Sequence, residues 1–457
     1  MIRSRISSWD DRFGGACRGE TPWNIFENDD ARRTDFQELP MKKTFAANLL
    51  TLLVATFPIC AQPAFAPTNA SDYEELPELK ASEILRPEIL QGPNHKVREE
   101  VPTYSGANRF TIDSAFGVFE AEGNEMLIRG INEINAIARL KEVSRTDQYR
   151  NALVTAAKSP VAAAKSIVTN PVGTVASMPK GLMKFMGRAR ESVKGIGKKG
   201  DSSGGEGSKM QQMTGFTDAK RKVAVNLGVD PYSTNAVLQK ELDGIAWASF
   251  AGGLTFQVAM MPIGGPALTV TRVTSNFQNV LRDKSPTDLK IMNRQILLGM
   301  GASAADTEAF LNNGAFSPSE QTAFVLNLRS LDGVANRGVF VRLAAKKSSD
   351  EADAIFCVET AELMGNLHQG EKPLARIALI SDFPICVAKD GTVVVALQWD
   401  YAAWTPLADR FARDVKAEAK GKPCLVALSG AISPRLREEL ERRGFRVQDR
   451  LSPGPLK

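Results

Sequence analysis

Residues 41–66 decide how much of this chain is left to fold. Met41 is followed by Lys42 and Lys43, then an uncharged apolar run over 45–57, then the small residues Ala61 and Ala64-Phe65-Ala66. Charge, apolar core and small-residue site in that order read as a secretory signal peptide. The lysines hold the cytoplasmic side while the apolar run enters the translocon, and a run this short makes no permanent anchor. Cleavage after Ala66 places Pro67 next to the cut, where it hinders processing, so Ala61 and Ala70 stand as rival sites. Cys60 follows Phe57-Pro58-Ile59, which lacks the small residues of a lipoprotein signal. Residues 1–40 show no helical or strand period and read as a spurious or disordered leader ahead of a start at Met41.

The chain has the composition of a folded protein. Hydrophobic residues make up 43% and charged residues 24%, which excludes wholesale disorder. A mean hydropathy of -0.18 excludes a multi-span membrane protein. The only two histidines are His95 and His368, so a three-histidine metal centre is ruled out, and neither a metal nor a cofactor is expected. From residue 67 onward the cysteines are Cys357, Cys386 and Cys424. That is no disulfide scaffold, and Cys386 with Cys424, on strands of one C-terminal unit, is the first choice for a single bridge.

The pattern divides the rest. Residues 67–94, rich in Pro and Glu, read as an extended, solvated arm. Residues 95–199 read as a hairpin-helix module with a basic amphipathic helix: strands over 109–113 and 117–122, then a helix from Gly123-Asn124. On that helix Leu127, Ile131, Ile134, Ile137 and Leu140 form the apolar face, and Arg129, Glu133 and Arg139 face away. A Gly/Ser linker spans 200–214. Residues 215–370 read as a helical domain, with start signals at Ser285-Pro286-Thr287-Asp288, Ser317-Pro318-Ser319-Glu320 and Ser348-Ser349-Asp350-Glu351. Residues 371–457 alternate as β-β-β-α-β-α-β, with Asp390-Gly391 turning one hairpin. The fold class is α+β, predominantly α-helical: an N-terminal β-hairpin plus helices, a central helical bundle and a small C-terminal α/β domain.

Three stretches are candidate sites. In the helix expected over 179–199, Lys180, Lys184, Arg188, Arg190 and Lys194 lie opposite an apolar face that includes Phe185, a pattern suited to an anionic membrane surface. The uncharged stretch 245–263 approaches spanning length, but Gly252, Gly253, Gln257 and Pro262 interrupt it, so it reads first as buried core and second as an integral anchor. Asp400, Trp404 and Ser429 fall just past predicted strands, where α/β sheets take ligands, and suggest a cleft for a carboxylate-based hydrolase or transferase. Asp230-Pro-Tyr-Ser-Thr-Asn235 offers oxygen ligands but has the composition of a helix-capping turn. Cys357 and His368, eleven residues apart on one helix, are too distant for a thiolate–imidazole pair. Catalytic motifs such as Gly-x-Ser-x-Gly, a Walker loop or His-Glu-x-x-His do not occur.

The hairpin-helix of 110–140, Leu227-Gly-Val-Asp-Pro-Tyr232, Asp288-Leu with Met292-Asn293, Ser317-Pro318, Trp399-Asp400 and Trp404-Thr405 resemble an uncharacterised family of exported bacterial proteins. The resemblance spans most of 95–450 and implies a bacterial envelope setting; no activity comes with it. The reading is an exported, non-catalytic envelope protein, periplasmic or peripheral at a membrane face. Its partner is an anionic membrane surface or another envelope protein, and export removes nucleic acid from consideration. If the 179–199 helix makes that contact, changing Lys184, Arg188, Arg190 and Lys194 together to Gln abolishes flotation with anionic liposomes. Each basic residue near such a surface contributes about 1 kcal/mol. Equal flotation of both proteins removes the helix from the account.

Overall fold

Leu85 and Ile89 stand in a stretch dominated by Pro and Glu, yet both are buried. The computed structural model describes residues 73–104, 106–158, 206–255 and 275–457. Its first elements are β1 (Glu78–Lys80) and the single-turn helices α1 (Ala81–Ile84) and α2 (Pro87–Leu90). Ala81, Leu85 and Ile89 are buried, while Glu75, Glu78 and Glu83 stay exposed. The solvated arm expected over 67–94 is thus, from Tyr73 onward, part of the core. Its acidic composition describes only its outer side.

Strands β2 (His95–Val97), β3 (Glu100–Tyr104), β4 (Ala107–Ser114) and β5 (Gly117–Glu122) complete an antiparallel sheet. β4 pairs with β2, β3 and β5, and β1 adds to β3. Asn108, Phe110 and Ile112 alternate inward along β4, and the hairpin β4–β5 turns at Ala115-Phe116 as its pattern predicts. Helix α3 (Asn124–Ser144) then packs Leu127, Ile131 and Ile134 on this sheet.

The far end of α3 belongs to a second cluster. There Ile137 and Leu140 meet α5 (Glu206–Asn226) and α6 (Ala236–Gly252), while α4 (Asp147–Lys158) also lies against α6. A Cβ on Gly252 would come within 2.1 Å of the Ala152 carbonyl oxygen, so only glycine lets these two helices approach so closely. α5 begins at Glu206, inside the stretch expected as linker over 200–214; Lys209-Met-Gln-Gln-Met213 are strong helix formers that outweigh the glycines. Of the stretch 245–263, the described part buries Ile245, Ala246, Trp247 and Ala248 within protein and leaves the helix at Gly252, with Gly253 in the left-handed region. Among the described residues no helix is long and apolar enough to cross a membrane.

The central region is a run of capped helices: α7 (Ser275–Asp283), α8 (Pro286–Gly299), α9 (Ala304–Leu311), α10 (Pro318–Ser330), α11 (Arg337–Lys347) and α12 (Glu351–Gln369). Capping boxes form at Ser285 with Asp288 and at Ser317 with Glu320, as the sequence signals require. α12 is capped by Asp350, whose carboxylate accepts the Asp353 N–H. Phe310, Phe324 and Phe340 are fully buried and stack in series at 5.1 Å between ring centres.

The last unit runs β6 (Leu374–Ile380), β7 (Phe383–Ala388), β8 (Val393–Leu397), β9 (Tyr401–Ala402), α13 (Pro406–Ala419), β10 (Cys424–Leu428), β11 (Ala431–Ile432), α14 (Pro434–Arg442) and β12 (Phe445–Gln448). Its main sheet has the order β12-β10-β8-β7-β6, an antiparallel meander followed by two parallel strands. β9 and β11 form a separate parallel pair. One hydrophobic cluster extends from Leu297 of α8 to Ala427 of β10, so the helices and this sheet share a core. The architecture is mixed α+β and predominantly helical.

The bridge expected between Cys386 and Cys424 does not form: both are free and buried, as is Cys357. β8 lies between them, with Cys386 opposite Val394 and Cys424 opposite Val393. Two strand spacings are about 9–10 Å, beyond disulfide reach, and neighbouring residues of β8 point to opposite faces. Burial pushes the Cys357 and Cys386 thiols up to about 12, the chemistry of inert core cysteines.

Candidate functional site

The residues expected to line a cleft beyond the C-terminal strands are instead packed against protein. Asp400 is 8% exposed, and its carboxylate accepts the backbone N–H of Asn108 at 3.0 Å and of Asn124 at 3.2 Å. It therefore caps the start of α3 from nearly three hundred positions away, where the helix dipole favours a negative charge. Trp404, 2% exposed, lies 4.4 Å from the Arg443 guanidinium and donates its backbone N–H to Glu74 Oε2 at 2.6 Å. Ser429, 1% exposed, donates to the Trp399 carbonyl at 3.2 Å. The N-terminal sheet and residues 73–74 occupy the space that strand-end geometry reserves for a ligand. Asp400 and Trp404 thereby tie the C-terminal unit to the N-terminal part of the described chain, and Ser429 braces Trp399.

The basic positions Lys180, Lys184, Phe185, Arg188, Arg190 and Lys194 lie outside the described residues. Residues 230–235 form the expected turn: Asp230 Oδ1 accepts the Tyr232 N–H at 2.8 Å, and Asn235 caps α6 through the Val237 and Leu238 N–H groups. His368 accepts the Leu374 N–H on Nδ1 at 3.0 Å, leaving Nε2 to donate to the Asp332 carbonyl.

A different place collects chemistry. A cavity of about 410 Å³ lies between α3, the end of α5 with its following turn, α7, α10 and α12. At one end stands Arg129, whose guanidinium donates at 2.9 Å to both Glu320 Oε1 and Glu351 Oε1. Glu320 also accepts the Ser317 N–H in its capping box, and Glu351 accepts the Thr234 hydroxyl at 2.8 Å. Asp230 accepts the Ser319 hydroxyl. Glu133, 5% exposed, accepts from Asn235 on Oε2 at 2.9 Å with Ser233 also hydrogen-bonding its carboxyl, while its buried Oε1 has no partner by geometry. The cavity is also lined by Val229, Phe277, Leu281, Ala323 and Ile355, and by Glu359, Glu362 and Asn366 further along α12.

The acids outnumber the arginine, and burial sets their chemistry. Loss of hydration raises the Glu133 and Asp230 carboxyl pKa values above the ordinary range, with Arg129 pulling the other way. Burial also works against the charge on Arg129, but Glu320, Asp230 and Glu125 outweigh it and hold the guanidinium protonated. Among the described residues no group of three or more His, Cys, Asp or Glu is placed to hold a metal ion.

Arg129 and Glu133 overturn the expectation that they face away from the core. α3 is covered on two sides, by the sheet and by the helices, so its polar stripe becomes a wall of the interior. A signal was present: Ile128, Asn135 and Ala136, outside the apolar stripe, are buried as well, and a helix with so many apolar or small residues off its main face leaves little for water.

No known protein family matches the chain, and comparisons with curated proteins and with solved structures returned no match.

Carboxyls whose folded pKa is raised bind protons more tightly when folded, so they subtract stability as pH climbs from their ordinary value through the raised one. Glu133→Gln reproduces the protonated side chain. It is expected to leave stability at pH 4 unchanged and to raise it at pH 8, by about 1.4 kcal/mol for each unit by which burial lifts the carboxyl. Urea unfolding across pH 4–8 checks this; parallel wild-type and variant curves refute it.

Proposed function

We propose that the mature chain is an exported, non-catalytic envelope protein that holds a small polar molecule in the cavity between α3, α7, α10 and α12. One observation carries the reading: a cavity of about 410 Å³ whose lining pairs apolar side chains with Arg129, Asn132 and Glu133, the last with a buried oxygen that has no partner. Sites for small molecules typically measure about 300–1,000 Å³ and pair apolar walls with a few fixed polar groups. A buried carboxylate oxygen without a partner carries a desolvation cost that a bound donor removes. Among the described residues neither cysteine nor histidine lines the cavity, and the one serine there, Ser319, donates to Asp230, which favours binding over nucleophilic chemistry. Export rests on the 41–66 segment, and attachment to an anionic membrane surface on the basic positions of 179–199.

Ligand-observed NMR against a panel of amino acids, sugars, dicarboxylates and diamines tests the binding role. Wild type is expected to bind at least one class, and Ala323→Phe, which fills the cavity from α10 while preserving its apolar wall, to bind none. A panel silent with folded wild type overturns the reading. Export is tested separately by mapping the first residue of the protein recovered from the envelope fraction. It is expected at 62, 67 or 71, and a chain found inside the cell with residues 41–60 attached would refute export.

A further inference from the structure

We infer that His95 is a pin that acid withdraws: protonation of its buried ring frees the segment 81–97 from the sheet and from α3. The switch is independent of the cavity.

Hydrogen bonding fixes where the proton of the ring sits. His95 opens β2 and is 5% exposed, and its Nε2 lies 3.0 Å from the Ile89 carbonyl of α2. A carbonyl only accepts, so Nε2 carries the hydrogen and Nδ1 the lone pair. Nδ1 is buried and has no partner. The chain folds tightly over it. The Gly92 N–H donates to the His95 carbonyl at 3.0 Å, Gln91 bridges Lys96, and a Cβ on Gly92 would sit 2.9 Å from Nδ1. A second proton therefore arrives at an atom without an acceptor and brings a charge into a buried site.

The elements around the ring keep their charges for one another. On β2 and just after it, Lys96 and Arg98 are exposed on the opposite side of the strand. Across the ladder His95 faces Ser114, and the neighbouring Asp113 is held by Arg98 at 2.8 Å. On α2 Glu88 pairs with Arg86 at 3.4 Å, Glu99 accepts from Ser82 of α1, and Lys457 donates to the Ser82 carbonyl. α3 reaches this corner with the neutral Asn135, which accepts from Asn94 at 3.1 Å. Among the described residues two influences act on the imidazole: burial lowers its pKa, the Ile89 carbonyl raises it, and burial prevails.

What the ring pins is the first part of the described chain. Leu85 and Ile89 pack with Leu127, Ile128 and Ile131 of α3. To hydrate a proton on Nδ1 the ring has to leave its place, which breaks the bond to Ile89 and lifts α2 from α3. Because the folded pKa is lowered, the closed segment binds the proton less well than the open one. Its stability is whole above the ordinary imidazole value of about 6.5 and is lost as pH falls toward the folded value.

Hydrogen exchange of the intact protein at pH 7 and pH 5, corrected for the intrinsic rate, tests the switch. Protection over 81–97 is expected to drop about tenfold at pH 5 while that of α10 holds. His95→Gln keeps an N–H donor for Ile89 and does not titrate, so its 81–97 segment is expected to be equally protected at both pH values. His368→Gln, at the chain's other histidine, is expected to behave like wild type. Where His95→Gln fails to fold, the ring signal of His95, the one histidine left in His368→Gln, decides: its titration is expected to coincide with the loss of protection over 81–97. Protection over 81–97 that is unchanged at pH 5, that falls equally in folded His95→Gln, or that falls no further than in α10 overturns the inference. So does a His95 ring that titrates while the segment stays protected.

Discussion

A guanidinium taken out of bulk water has to be resolvated by protein, and Arg129 does this by drawing in carboxylates from distant parts of the chain. Its partners Glu320 and Glu351 stand 191 and 222 positions away, each in the first turn of a different helix. Hydrogen bonding the two together brings the starts of α10 and α12 onto the middle of α3, and the 230–235 turn joins through Thr234 and Glu351. Removing one member of such a buried set leaves an uncompensated charge, which is why arrangements of this kind fix geometry more strongly than they add stability.

A second carboxylate shows the same economy of means in a structural role. Asp400 supplies the cap that α3 lacks locally, since Gly123 at its start has no side chain to accept a hydrogen bond. Both ends of the described chain converge there: Glu74 reaches Trp404 and Ser433, and the Leu456 carbonyl accepts the Arg86 N–H. The C-terminal sheet thus acts as a scaffold that closes the N-terminal sheet against α3. At its strand ends Asp400, Trp404 and Ser429 are buried against protein.

Much of the local structure was legible because local physics acts over a few residues. The capping boxes at Ser285 and Ser317, the hairpins at Ala115-Phe116 and Asp390-Gly391 and the β-β-β-α-β-α-β order of the last unit all follow from residue types at short spacing. The errors share a cause. Composition suggested a solvated arm, yet Leu85 and Ile89 bury; strands of one unit suggested a cysteine pair, yet Cys386 and Cys424 are separated by β8 and lie on opposite faces. In each case the deciding partner was remote in the chain.

Periodicity and capping determined from the sequence alone where several of the helices and strands begin, which residues of α3 are apolar, and that residues 41–66 carry the marks of an export signal. Only the tertiary structure decided that the polar stripe of α3 is also an interior surface. A helical wheel reports which side chains differ in polarity, not what covers them. The covering elements, with Asp230, Glu320 and Glu359 on them, arrive from more than ninety residues away and turn Arg129 and Glu133 from solvated positions into the charged end of a cavity.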